Sequence, residues 1–209
     1  GILELLNSDL GKQIINGLSN DSNQSEEKTA SVLSMGLPIL MGAMKRNANS
    51  PEGAAGLIGA LNSKHDGSIL EDLGGLFNGG VDNSVKQDGE GILKHILGGS
   101  QTNVTSALSQ KSGMDSAAVM NILKVAAPIL LGYLGKQQRQ QPSQSNSGIE
   151  GLLGGLLGGG SQDQKQQSLI ESLLDGNNDG SVIDDVAGMF LGGGKKSEGL
   201  GGLLGGLFK

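Results

Sequence analysis

The stretch best equipped for chemistry is Asp175-Gly-Asn177-Asn-Asp179-Gly180-Ser-Val182. Oxygen donors at the first, third and fifth positions, glycine at the sixth and an apolar residue at the eighth match the first half of a helix–loop–helix calcium loop. A hard cation needs several oxygen ligands, and the glycine permits the sharp turn between them. The second half fails, because Val186 stands where a bidentate glutamate must complete the shell. Asp184 or Asp185 would serve only along a different loop path. The earlier copy, Asp66-Gly67-Ser68, is poorer, with Asn62 and Lys64 at the first and third positions. Asp-Gly-Ser is also what a tight turn between helices, ending in a serine N-cap, requires. That reading is preferred, so no metal or cofactor is expected. Asp175, Asn177 and Asp179 are the ligands of the calcium-responsive alternative.

Other chemistry is thinner. The only histidines, His65 and His95, stand at non-equivalent places with no partner suggested by spacing, and read as solvated loop or helix-face residues. No nucleophile elbow surrounds any serine. The glycine runs lack the Lys-Ser/Thr ending of a phosphate loop and follow no strand. There is no cysteine, which removes thiolate nucleophiles and Cys-based zinc sites. A net charge of −6 and four aromatic residues (one Tyr, three Phe) argue against nucleic acid, which needs a basic face or a stacking platform. No catalytic residue is assigned, and a non-enzymatic protein with no small-molecule substrate is expected.

Glycine is the unusual component, at 38 of 209 residues. Inside a helix each glycine costs about 1 kcal/mol relative to alanine. Here the glycines alternate with paired leucines. In Gly151-Leu-Leu-Gly-Gly-Leu-Leu-Gly158 a helical wheel puts Gly151, Gly154, Gly155 and Gly158 on one face and Leu152, Leu153, Leu156 and Leu157 on the other. The tail repeats the pattern with Leu203, Leu204, Leu207 and Phe208 opposite Gly202, Gly205 and Gly206. A glycine face lets another backbone come unusually close. These modules are expected to dock, within the chain or on a neighbouring copy; the competing reading is a flexible linker, natural for Lys136 to Ser147.

The elements that must position these modules are helical throughout. Ser31-Val-Leu-Ser-Met-Gly-Leu-Pro-Ile-Leu-Met-Gly-Ala-Met44 is apolar around most of its circumference and reads as a buried central helix. It recurs as Asn121 to Leu134, with Pro38 over Pro128, Gly42 over Gly132 and Leu33 over Leu123, each 90 residues apart. Each proline deprives the carbonyl four residues earlier, at Ser34 and Lys124, of its donor, so a kink or break is expected. A short helix over 2–6, another over 10–18 and a polar loop over 19–25 precede the first copy. Ser50-Pro51-Glu52 starts a further helix, expected to reach Leu61. Ser112 with Asp115, and Ser68 with Glu71, have capping-box spacing. Beyond the central helices the offset becomes 113, aligning Asp66-Gly67-Ser68 with Asp179-Gly180-Ser181, so the second copy is longer by 23, the difference between 113 and 90. The expected organisation is an all-α tandem duplication: unit 1 over 1–90, unit 2 over 91–194 with a Gln-rich and Gly/Leu-rich insert near 136–167, and a tail over 195–209.

Gly-Ile-Leu-Glu-Leu-Leu-Asn-Ser at the start, the Pro-Ile-Leu-Met-Gly helix and the Asp-Gly-Ser-Ile-Leu-Glu-Asp-Leu turn together resemble a bacterial family called domain of unknown function 937. The resemblance covers nearly the whole chain except the Gln-rich insert and the tail. It implies an all-α bacterial protein with internal repeats, and brings no activity, substrate or site residue. No run approaches the roughly 18 to 20 apolar residues of a bilayer span, and no secretory signal is visible, so a cytoplasmic protein is expected. The expected function is self-association into an oligomer or filament through the Gly/Leu segments. A peripheral membrane-surface protein is the alternative, weakened by acidic charge and polar faces poor in Lys and Arg.

Overall fold

The computed structural model describes residues 1–140 and 146–158, and every regular element among them is helical. In chain order these are α1 (Ile2–Asn7), α2 (Asp9–Ser22), α3 (Glu26–Ala48), α4 (Pro51–Ser63), α5 (Leu73–Phe77), α6 (Asn83–Leu97), α7 (Gln101–Ser112), α8 (Ser116–Gln140) and α9 (Asn146–Gly158). Short 3-10 turns occupy Ser68–Leu70 and Gly98–Ser100. The fold is all-α, as the periodicity implies.

Side-chain caps set most helix starts. The oxygens of Ser8, Ser25, Ser50 and Asp72 accept the backbone N–H of Gly11, Lys28, Gly53 and Gly75, satisfying donors that the first turn leaves orphaned. Pro51 fills the first position of α4, where its missing N–H is harmless. Lys45 and Arg46 close α3, where cations complement unpaired carbonyls.

Three local expectations need correction. The polar stretch after Leu18 continues α2 to Ser22, where Ser19 and Ser22 turn their hydroxyls back onto the carbonyls of Asn16 and Leu18. Asn23, in the left-handed region at φ 54°, ends the helix instead. Ser112 belongs to the end of α7, its hydroxyl donating to the Leu108 carbonyl, and Asp115 alone caps α8 by accepting the Ala117 N–H at 3.0 Å. Ser68 opens only a 3-10 turn, and α5 is capped by Asp72.

With so few aromatics, burial comes from many aliphatic side chains, each worth about 2 kcal/mol when fully covered. The central helices α3 and α8 pack against each other and gather α2, α4, α6 and α7 around them. Val32, Leu33, Leu40, Met41 and Met44 of α3, with Val119, Ile122, Val125 and Leu134 of α8, are fully buried. One hydrophobic cluster runs from Ile2 to Leu153. The boundary between residues 90 and 91 lies inside α6. Helix α8 also corrects the expectation about apolar runs. An 18-residue window within it reaches a mean hydropathy of 1.7, long and apolar enough to cross a membrane, despite Lys124 in its middle. Two-thirds of that window (67%) is buried inside the helical body, so here it is the core helix.

Both long helices continue through their prolines without a break. The carbonyl that Pro128 leaves without a helical donor is that of Lys124. Helix α6 comes onto α8 at this point: a methyl built on Gly89 would overlap the Lys124 carbonyl oxygen. The bare Cα of Gly89 thus lies against the freed oxygen, the geometry of a weak Cα–H contact. Beside it, Lys124 Nζ pairs with Glu90 Oε2 at 3.1 Å, and Leu93 is fully buried.

Candidate functional site

Asp175, Asn177, Asp179, Leu203, Leu204, Leu207 and Phe208 lie outside the described residues. The first copy of the Asp-Gly-Ser turn is described, and its carboxylate is engaged. Asp66 accepts the Ser68 N–H at 3.0 Å and the Arg139 guanidinium at 3.1 Å. Gly67 adopts φ 100°, a conformation that side chains resist. The turn rests on α8 at Gly132 and Gly135, where added methyls would strike Ile69 and the His65 carbonyl.

The Gly/Leu segment of α9 lies along α3 and touches α4. Ile149 and Leu153 are buried in the core, while Leu152, Leu156 and Leu157 are half-buried against it. The glycine face is open among the described residues: methyls built on Gly151, Gly154 or Gly155 would meet none of them within 4 Å. On neighbouring α4, Gly56 and Gly59 are equally open. Helix α4 carries one charged residue, Glu52, and α9 one, Glu150.

Two clefts adjoin along α6. The first, about 410 Å³, runs between α4 and α6, with Gly56, Leu57 and Ala60 on one wall, Gly91, Ile92 and Ile96 on the other, and Met44 and Leu131 also lining it. Its lining is mostly apolar. Both histidines border it. His65, expected in solvent, is instead 6% exposed, with Nε2 3.3 Å from Asp88 Oδ2. Packing of residues 64–70 onto α8, joining segments far apart in sequence, buries it. Burial pushes the imidazole pKa down, nearby Lys64 acts in the same direction, and together they outweigh the attraction of Asp88 and Asp66. His65 is therefore neutral at pH 7. His95 does lie on an exposed helix face.

The second cleft, about 520 Å³, is polar and lies between the end of α3, the start of α4 and the α6–α7 junction. Arg46, Asn47, Ser50, His95, Ser100 and Asn103 supply its polar lining, and no Asp or Glu contributes. Asn47, His95 and Ile96 line both clefts. Asn47 Nδ2 donates to the His95 carbonyl at 3.2 Å, tying α3 to α6 where the clefts meet.

One buried ion site was invisible in the sequence. The Asp21 side chain, 6% exposed, accepts the Val81 N–H at 2.9 Å and Asn121 Nδ2 at 3.1 Å, and pairs with Lys86 Nζ at 3.0 Å. Burial opposes its charge, but these three partners outweigh burial and hold its pKa below the usual carboxylate value. With each lone pair committed to structure, Asp21 is a hub joining α2, α6 and α8 and not a free base.

A family described as bacterial protein of unknown function, DUF937, matches residues 4–137 and 143–208. The chain belongs to that family. The DUF937 match reaches further than the motif resemblance, taking in the Gly/Leu insert and most of the tail. No curated protein and no solved structure matches the chain.

Proposed function

We propose that this DUF937 protein is a non-enzymatic helical scaffold, built by tandem duplication, that assembles with copies of itself through its Gly/Leu segments. The duplication reading is supported by helix placement: α2 and α3, moved by 90 residues, fall on α7 and α8, each long helix carrying its proline at the same point, where the reading places a bend. The observation that carries the assembly reading is the posture of α9. Its leucine face is turned into the body while three glycines present bare backbone outward. Facing water, each such glycine destabilises the helix by about 1 kcal/mol relative to alanine, a cost that close packing of another backbone offsets.

The occupant is residues 198–209 of a neighbouring copy. They repeat the Gly-Leu-Leu-Gly-Gly-Leu order of α9 51 residues further on, ending in Leu207 and Phe208 where α9 has Leu156 and Leu157. On the receiving side stand Gly151, Gly154 and Gly155 with the half-buried Leu152, Leu156 and Leu157; Leu153 is committed to its own core. A tail meeting a different surface is a heterologous contact, which propagates unless the rotation closes a ring. Deleting residues 198–209 is expected to convert an assembly into monomers by light scattering, and to remove filaments or rings from electron micrographs. An unchanged mass would refute the tail's role.

A further inference from the structure

We propose that the second Asp-Gly-Ser turn, Asp179 to Ile183, docks on α3 of its own chain at Gly42, as the first docks on α8 at Gly132. Residues 179–183 lie outside the described residues, and their placement rests on the duplication reading given above. The first support is the length of the match. Asp66-Gly-Ser-Ile-Leu-Glu-Asp-Leu-Gly-Gly-Leu-Phe77 and Asp179-Gly-Ser-Val-Ile-Asp-Asp-Val-Ala-Gly-Met-Phe190 are identical or of one chemical kind at every position. The receiving helices match as well. Gly132 follows Pro-Ile-Leu-Leu on α8, and Gly42 follows Pro-Ile-Leu-Met on α3.

The second support is the way the two units cross. Helix α2 packs on α3 and on α8, while α7 packs on α8 and on α3. Helix α4 packs on α8, and α9, which follows α8 as α4 follows α3, lies on α3. Each unit thus lays its later elements across the central helix of the other. The first turn obeys this arrangement. It rests on α8, with Gly67 facing Lys136 and the Gly132 carbonyl, and a Cβ built on Gly132 would stand 4.0 Å from the Ile69 Cβ. Exchanging the units sends that contact to Val182 against Gly42. Two departures bound the copy: Lys45 stands in place of Gly135, and Ala107 in place of Gly17, whose bare Cα receives the Phe77 ring. The residues before Asp179 and the Phe190 ring therefore cannot repeat the first approach, and the docked copy ends at Ile183.

The test is disulfide formation in the full chain, which has no cysteine of its own. Ile69→Cys with Gly132→Cys is the reference pair, since a Cβ separation of 4.0 Å suits a disulfide. Gly42→Cys with Val182→Cys is the test pair, and Gly42→Cys with Ser197→Cys measures chance encounter. In dilute solution under mild oxidation, the test pair is expected to close within one chain about tenfold faster than the Ser197 pair, because docking raises the effective concentration of the two thiols. A second measurement leaves α3 untouched. Gly67 adopts φ 100°, which a β-branched residue resists, so Gly180→Val is expected to lower the melting temperature by about 2–4 °C. A test pair no faster than the Ser197 pair, or one that links two chains, would overturn the docking. If Gly180→Val also left the melting temperature unchanged, the second unit would not repeat the first turn, and the duplication reading would fall too. Linkage within one chain is independent of assembly mass, so the role of the tail stands or falls separately.

Discussion

Replacing Gly89 by alanine is expected to destabilise the fold by about 3 kcal/mol, the upper range for forcing extra atoms into a packed interface. Elsewhere in a helix the same exchange stabilises by about 1 kcal/mol, so the sign itself is diagnostic. The new methyl would overlap the Lys124 carbonyl oxygen, a backbone atom that cannot swing aside. Helix α6 would have to lift from α8, uncovering Leu93 and Leu97 and stretching the Glu90–Lys124 pair. Gly91→Ala, two residues away with nothing within 4 Å, is the control and is expected to be neutral or stabilising. Urea denaturation of both variants checks the pair. A Gly89→Ala midpoint equal to the parent would show that α6 does not sit on the freed carbonyl.

Asp21→Asn is expected to cost about 2 kcal/mol at pH 7, the scale for losing hydrogen bonds to a charged group when the lysine left behind is half-buried. The amide also presents an NH₂ group among donors, so the Val81 N–H or Asn121 loses an acceptor. The pH dependence follows from the direction of the shift. The folded-state pKa of Asp21 lies below its ordinary value of 3.8, so its contribution is complete above that value and lost as pH falls through the folded one. The variant cannot titrate there, and its stability curve below pH 3.8 should be flatter than the parent's. His65 acts in the same sense at higher pH. Its pKa is lowered from 6.5, so its stabilising share fades as pH drops from 6.5 toward the folded value. Chemical denaturation from pH 7 to pH 3 should show both steps in the parent and a smaller lower step in Asp21→Asn, because Asp66, whose pKa is also lowered, still titrates there.

The long helices were legible because their information is local and repeated. The apolar circumference of α3 and α8, their matched prolines and the Ser50-Pro51 start all sit within a few residues of what they determine. The outward glycine face of α9 follows from its wheel once the leucines are known to face a body. What the sequence could not show depends on segments meeting at long range. Asp21 draws partners 60, 65 and 100 residues away, and no local pattern marks a carboxylate destined for that many donors. His65 looked solvated because its cover comes from α8 and its carboxylate from α6. The apolar cleft is a space between α4 and α6, and spaces leave no residue pattern. The open glycines at 56 and 91 are its one trace, and in sequence they resemble the glycines that make close contacts.

Self-assembly through bare glycine backbone can be separated from simple helix packing by changing only that face. In the triple variant Gly151→Ala, Gly154→Ala and Gly155→Ala, each added methyl meets nothing within 4 Å among the described residues and favours helix by about 1 kcal/mol. Melting temperature and sedimentation velocity should be recorded on the same preparation. A higher melting temperature together with a fall to monomer mass is the predicted result. A higher melting temperature with the assembly intact, or a parent protein that is monomeric at every concentration, would contradict it.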